Sequence, residues 1–231
     1  MGMGTSKPRC VRGVIFDMDG TLTEPCLDFV KMRRRVCEAL ERDIGRADML
    51  AEIEKEASAA RREAAHAAIH EVEAEGWARL VLAPGVSDVC GLLDARGVPR
   101  AILTRNSEGS LEHFHSRLAA TGFKPPLGAF QPALSRDSGF PPKPHPDALL
   151  HIARDAWGVP IADVVMIGDS AKDDVAAGRN AGAITVLLGA EAARAPADLP
   201  PNAEPDFRVA DLPAFKALLE DGSLELQGLA T

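Results

Sequence analysis

Four short stretches of this chain are predominantly apolar, at 11–16, 101–103, 164–167 and 183–188, and are rich in Val, Ile and Leu. A strand with one wet face alternates apolar and polar side chains. A continuous apolar run instead suits a strand covered on both faces, as in a parallel sheet. The intervening segments, about 86–96, 107–120, 146–157 and 171–181, read as helices. Gly97 and Gly158 stand where C-caps fall, and Pro146 suits a first helical turn. This succession of strand and helix predicts an α/β fold built on a doubly wound, mostly parallel sheet.

One stretch interrupts the alternation. Residues 25–81 are rich in Ala, Glu and Arg and contain no convincing strand. Leu27, Val30, Val36 and Leu40 share one face of a helix, and Met49, Ile53, Ile69 and Val72 supply the apolar positions of one or two more. Pro84-Gly85 marks the return to the strand pattern. The expected organisation is a discontinuous core at 9–24 and 82–222, an all-helical insertion at 25–81 after the first strand, and flexible tails at 1–8 and 223–231. Residues 140–146, rich in Pro, read as a rigid loop.

Composition narrows the function classes. The net charge is −8 over 231 residues, with no basic run to follow a phosphate backbone, so nucleic acid is not an expected partner. Cys10, Cys26, Cys37 and Cys90 form no CxxC pair and read as reduced thiols, which suggests a cytoplasmic protein. No apolar stretch is long enough to span a membrane. Met1-Gly2-Met3-Gly4-Thr5-Ser6 fits an N-myristoylation pattern, but a plain leader is the simpler reading.

The chemistry gathers where the apolar runs end. The first run leads into Asp17-Met18-Asp19-Gly20-Thr21, the second into Thr104-Arg105-Asn106, and the third into Gly168-Asp169-Ser170. In an open α/β sheet the ligand crevice lies outside the carboxyl ends of the strands. Asp17, Asp19 and Asp169 should therefore meet there, with Asp173 one helical turn beyond Asp169. Crowded carboxylates raise one another's pKa unless a cation sits among them, and magnesium is the hard cation suited to such oxygen donors. Lys143, between Pro142 and Pro144, offers a second positive charge. Thr104 offers a hydroxyl, and a helix beginning near Ser107 offers amide donors. Together they describe a phosphate pocket.

These motifs resemble those of the haloacid dehalogenase-like superfamily, on its phosphoglycolate-phosphatase-like branch. Asp17-Met18-Asp19-Gly20-Thr21 resembles the first motif, Thr104 the second, Lys143 the third, and Gly168-Asp169-Ser170 with Asp173 the fourth. The resemblance spans about residues 9–188 and implies a Rossmann-like core with a small helical cap. It implies hydrolysis of a small phosphorylated metabolite with Mg2+ as cofactor. Asp17 would be the nucleophile, forming an aspartyl phosphate, and Asp19 the general acid and base. The metal would be held by Asp17, by the Asp19 backbone carbonyl and by Asp169. Asp173 would orient a metal-bound water or Lys143, with Asp174 as the competing choice. Thr104, Lys143 and the backbone near Arg105 would bind the phosphoryl group.

Two features stand apart. Lys143-Pro144-His145-Pro146 carries His where related sequences often carry Asp. Arg34, within Arg33-Arg34-Arg35, is either part of a solvated helix face or a reader of a second anionic group on the substrate. A phosphomutase of the same superfamily and a non-catalytic phosphometabolite-binding protein are the alternative functions.

Overall fold

The computed structural model describes residues 9–121 and 130–229. Along the chain come β1 (Arg9–Val11), β2 (Gly13–Phe16), α1 (Phe29–Leu40), α2 (Met49–Glu54), α3 (Ala59–Trp77) and α4 (Val86–Ala95). They are followed by β3 (Arg100–Leu103), α5 (Glu108–Ala120), β4 (Ala133–Leu134) and α6 (Asp147–His151). Then come β5 (Val164–Gly168), α7 (Ala176–Ala181), β6 (Ile184–Leu188), β7 (Phe207–Val209), α8 (Leu212–Glu220) and β8 (Leu224–Leu226). The chain divides into two compact units, Met1–Glu24 with Leu82–Thr231, and Pro25–Val81.

In the larger unit six strands form a parallel sheet in the order β4-β3-β2-β5-β6-β7. Strands β2, β3, β5 and β6 are buried along their whole length, which is why each reads as a predominantly apolar run, broken only by Arg100 in β3 and Thr185 in β6. Phe16 meets Phe130 and Phe215 edge-to-face, at centroid distances of 5.7 and 6.2 Å. Gly13 lies directly beneath the Trp157 ring, where a Cβ would collide with it. Trp157 is held in turn by a 3.0 Å hydrogen bond from its indole nitrogen to the Gln131 carbonyl.

The structure revises several expectations. The run at 11–16 is two strands rather than one. The chain breaks at Arg12, whose amide donates to Asp163 O at 2.7 Å, and only β2 enters the main sheet. β1 pairs in parallel with β8, so residues 224–226, expected within a flexible tail, form a strand. The short edge strands β4 and β7 were not anticipated. Helices expected at 146–157 and 171–181 each contain a π-helical turn, Ile152–Ala156 and Ala171–Val175. The expected leader and its acylation pattern lie outside the described residues.

The Pro25–Val81 unit is helical throughout its regular elements. Its core joins Met32, Val36, Leu40, Ile44, Ile53, Ala65, Ile69 and Val72. All three helices open on side-chain caps, with Asp28, Asp48 and Ser58 accepting from the amides of Lys31, Ala51 and Arg61. Val30, expected on the apolar face of α1, is 83% exposed, and its neighbour Phe29 is also exposed. The buried stripe of α1 runs through Met32, Val36 and Leu40 instead. Among the described residues no helix is long and apolar enough to cross a membrane.

Candidate active site

Strand register sets the crevice. Phe16, the last residue of β2, pairs with Ile102 on one side and Ile167 on the other. Asp17 follows β2, Thr104 follows β3 and Asp169 follows β5, so all three leave the sheet at the same edge. The Asp17 amide donates to Ile167 O at 2.9 Å, which fixes the chain as it leaves the sheet. A tight turn comes next, in which the amides of Thr21, Leu22 and Thr23 all point to Met18 O. Gly20 has φ +83°, a conformation costly for any residue with a Cβ, and a Cβ there would also strike the Asp169 carboxylate.

Lys143 is the buried hub of the site. Its ammonium donates to Asp17 Oδ1 at 2.6 Å, to Asp174 Oδ1 at 2.6 Å and to Leu103 O at 2.8 Å. An ammonium has three protons, and all three are matched. Burial works against the charge on Lys143, but Asp17 and Asp174 outweigh it and hold the pKa above the ordinary lysine value. The lysine loop is pinned from outside the crevice, since Asn180 Nδ2 donates to Pro144 O at 3.0 Å. His145, which stands in place of the more usual Asp, lies 3.4 Å from Asp147 at an exposed position.

Three carboxylates crowd around that ammonium. One oxygen each from Asp17, Asp169 and Asp174 can be chosen so that all lie within 4.8 Å of one another. Burial pushes the pKa of Asp169 up to about 7, and repulsion from Asp174 and Asp19 adds to it. Asp174 is likewise pushed to about 7 by burial, with Lys143 opposing and Asp17 adding to the rise. Burial also raises Asp17, against the pull of Lys143. One ammonium is too little charge for two buried carboxylates and a third that is partly buried.

Asp174, not Asp173, is the partner of Lys143, which corrects the choice implied by the family resemblance. The segment Ala171–Val175 is π-helical, so a turn closes over more residues than in an α-helix and brings position 174 onto the crevice. Gly168 has the room this requires, since a Cβ there would overlap the Asp174 carboxylate. Asp174 Oδ2 also accepts from the Ser170 amide at 3.0 Å. Asp173 instead faces Arg105, whose Nη1 lies 3.4 Å from both of its carboxylate oxygens.

The other candidates fall out as follows. Thr104 is buried, and its hydroxyl oxygen accepts from the Asn106 amide at 3.1 Å. That leaves the hydroxyl proton to be donated elsewhere. Asp19 accepts a long 3.5 Å hydrogen bond from Thr23 and lies near enough to Asp169 to raise its pKa. The amide of Glu108 in the first turn of α5, expected to serve the crevice, is taken by Asp137 Oδ2 at 2.9 Å. Arg34 pairs with Glu38 one turn along α1 at 3.0 Å, with its side chain 62% exposed, as a solvated helix face would have it.

A match to known proteins accompanies this geometry. Residues 11–182 fit the family model of the haloacid dehalogenase-like hydrolases. The chain belongs to that family. It is 38% identical over 217 residues to a haloacid dehalogenase-like hydrolase domain-containing protein of Arabidopsis thaliana, covering 91% of this chain and 84% of the relative. It is 34% identical over 178 residues to an uncharacterized hydrolase of Saccharomyces cerevisiae, covering 77% of each. Among solved structures, a hydrolase from Pseudomonas syringae superposes with a TM-score of 0.71 at 20% identity, covering 91% of this chain and 98% of that one. The relationship at that identity is one of fold.

The donors of this haloacid dehalogenase-like site suit a hard divalent cation. They are all oxygens, they are close enough to share one ion, and Gly20 and Gly168 clear space beside two of them. Both oxygens of Asp174 already accept hydrogen bonds, from Lys143 and from the Ser170 amide. Asp17 and Asp169 are therefore the side chains best placed to ligate, with Asp174 holding the lysine.

Proposed function

We propose that this protein is a magnesium-dependent phosphatase that hydrolyses a small phosphate monoester through an aspartyl phosphate on Asp17. The observation carrying this reading is the Lys143 ammonium seated on both Asp17 and Asp174 beside Asp169, at the carboxyl edge of the sheet. Asp17 is a carboxylate fixed at its backbone by Ile167 O and oriented by Lys143, so it can attack phosphorus in line without reorganising. Asp17 and Asp169 would hold Mg2+, which when bound supplies the positive charge the three carboxylates lack and offsets charge on the phosphoryl oxygens.

Asp19, two residues beyond the nucleophile and turned by the Met18–Thr23 contacts, would protonate the leaving alkoxide and later take a proton from the attacking water. Thr104 supplies a hydroxyl whose oxygen accepts from the Asn106 amide and whose proton would be donated to a phosphoryl oxygen. The helical Pro25–Val81 unit is, in this reading, the cap that selects among substrates. The expected setting is cytoplasmic. Phosphate release from a generic aryl phosphate tests the reaction class. Release should require Mg2+, stop on chelation and be absent in Asp17→Asn. A wild-type protein inactive against every phosphate ester would reject it in favour of a binding role.

A further inference from the structure

Asp169 stands on a short bridge of chain. β5 ends at Gly168 and the π-helical turn begins at Ala171, so only Asp169 and Ser170 lie between them. The strand end of the bridge is fixed by register, with Gly168 paired to Leu187 of β6. The helical end is fixed by two side-chain oxygens. Ser170 Oγ accepts from the Asp173 amide at 3.3 Å, and Glu191 Oε2 accepts from the Ala171 amide at 2.7 Å. Ala171 is wholly buried, so a backbone amide that lost this acceptor would have to shift to find another.

Glu191 comes from outside the motifs that mark the site. It lies three residues past β6, the neighbour of β5 in a parallel sheet, and so leaves at the same edge as Asp169. Its 2.7 Å contact has the length of a charge-assisted bond. The other carboxylate oxygen is also engaged, since Arg194 Nη1 donates to Oε1 at 3.0 Å. The loop itself is held from β7, where Arg208 Nη1 donates to Ala192 O at 3.0 Å. With both oxygens occupied, Glu191 is arranged to hold backbone rather than to ligate a cation.

We propose that Glu191 is a positioning residue for the metal site, fixing the Asp169-Ser170-Ala171 backbone so that the Asp169 carboxylate is set before the cation arrives. The proposal rests on the magnesium-dependent phosphatase reading and deepens it, adding the loop after β6 to the site. Groups that orient a metal ligand without touching the metal still set its affinity. What Glu191 contributes is reach and an acceptor oxygen, not net charge.

The test is calorimetric binding of Mg2+ to the full chain, which needs no turnover. Glu191→Ala should weaken binding about tenfold. Glu191→Gln keeps the reach and an acceptor oxygen for Ala171, while Arg194, 43% exposed, can turn to solvent. That variant should retain most of the wild-type affinity. Glu191→Asp keeps the charge but is one methylene too short, and should bind as weakly as Glu191→Ala. Glu191→Asp as tight as wild type, or Glu191→Gln as weak as Glu191→Ala, would assign the effect to charge and overturn the proposal. Thermal unfolding of each variant accompanies the titrations. A purely structural Glu191 would lower the midpoint and leave Mg2+ affinity at the wild-type value in Glu191→Ala, which also overturns it. If Glu191→Ala does not fold, the Gln and Asp variants carry the comparison. A wild-type protein that binds no Mg2+ would overturn the metal-dependent reading itself. One that binds Mg2+ and hydrolyses aryl phosphate, while Glu191→Ala binds Mg2+ equally well, would overturn this proposal alone.

Discussion

Lys143 Nζ lies 2.6 Å from Asp17 Oδ1, although 126 positions separate the two residues in the chain. Only a parallel sheet that returns each loop to the same edge brings them together. Because the lysine side chain is just 3% exposed and serves two buried carboxylates, it couples stability to chemistry. Lys143→Met should cost about 3–5 kcal/mol, since it strands Asp17 and Asp174 without their counter-charge. Denaturant unfolding of the variant measures this. Lys143→Met combined with Asp174→Asn should recover part of the loss, because one of the stranded charges is then removed.

Asp174→Asn should reduce kcat by about a hundredfold, comparable to the loss of one well-placed electrostatic contact. Asp174 orients Lys143 and is itself fixed by the Ser170 amide, so the amide variant disturbs the clamp without emptying its volume. Steady-state kinetics with an aryl phosphate would show the fall mainly in kcat.

Gly168→Ala should impair activity while leaving the sheet formed. The added methyl overlaps the Asp174 carboxylate and must displace it. Overpacking of this kind costs about 1–3 kcal/mol. The measurement is a paired one, with thermal unfolding showing a modest loss and phosphate release a loss of at least tenfold. Gly91, where a Cβ meets nothing within 4 Å, is the control position, and Gly91→Ala should leave activity unchanged.

The elements that could be read in the sequence share a physical cause. Strands β2, β3, β5 and β6 are buried on both faces, so apart from Arg100 and Thr185 they are written as apolar residues, and Asp17, Thr104 and Asp169 stand out as the polar residues following three of them. β4, with only Ala133 and Leu134, is too short to carry a pattern. β1 and β8 depend on each other across most of the chain, and no local signal marks such a pairing. The family resemblance points to Asp173 as the residue that orients Lys143, whereas the π-helical Ala171–Val175 segment gives that contact to Asp174, and no local sequence signal marks a π-turn. The Arg105–Asp173 pair joins residues 68 apart and becomes visible only once β2 is seen to lie between their strands.

Away from the crevice, Asp206 gives a pH signature. Burial works against its charge. Hydrogen bonds from the Thr185 amide at 2.9 Å and hydroxyl at 3.0 Å, with Arg9 at 2.7 Å, outweigh burial and lower its pKa. A carboxyl lowered below its unfolded value of about 3.9 contributes stability above that value. It loses that contribution as pH falls through the folded value. Asp206→Asn should therefore be less stable than wild type at pH 7, by about 1 kcal/mol. The difference should shrink as the pH drops below about 4. Denaturant titrations across that range follow it.

Acid-quenched mass spectrometry of the full chain, taken during turnover of an aryl phosphate with Mg2+, addresses the nucleophile itself. One added phosphoryl group on the peptide containing Asp17, sensitive to hydroxylamine and missing from Asp17→Asn, is the expected result. Steady turnover with no phosphorylated enzyme at any quench time, or a phosphoryl group on a different residue, would contradict the mechanism.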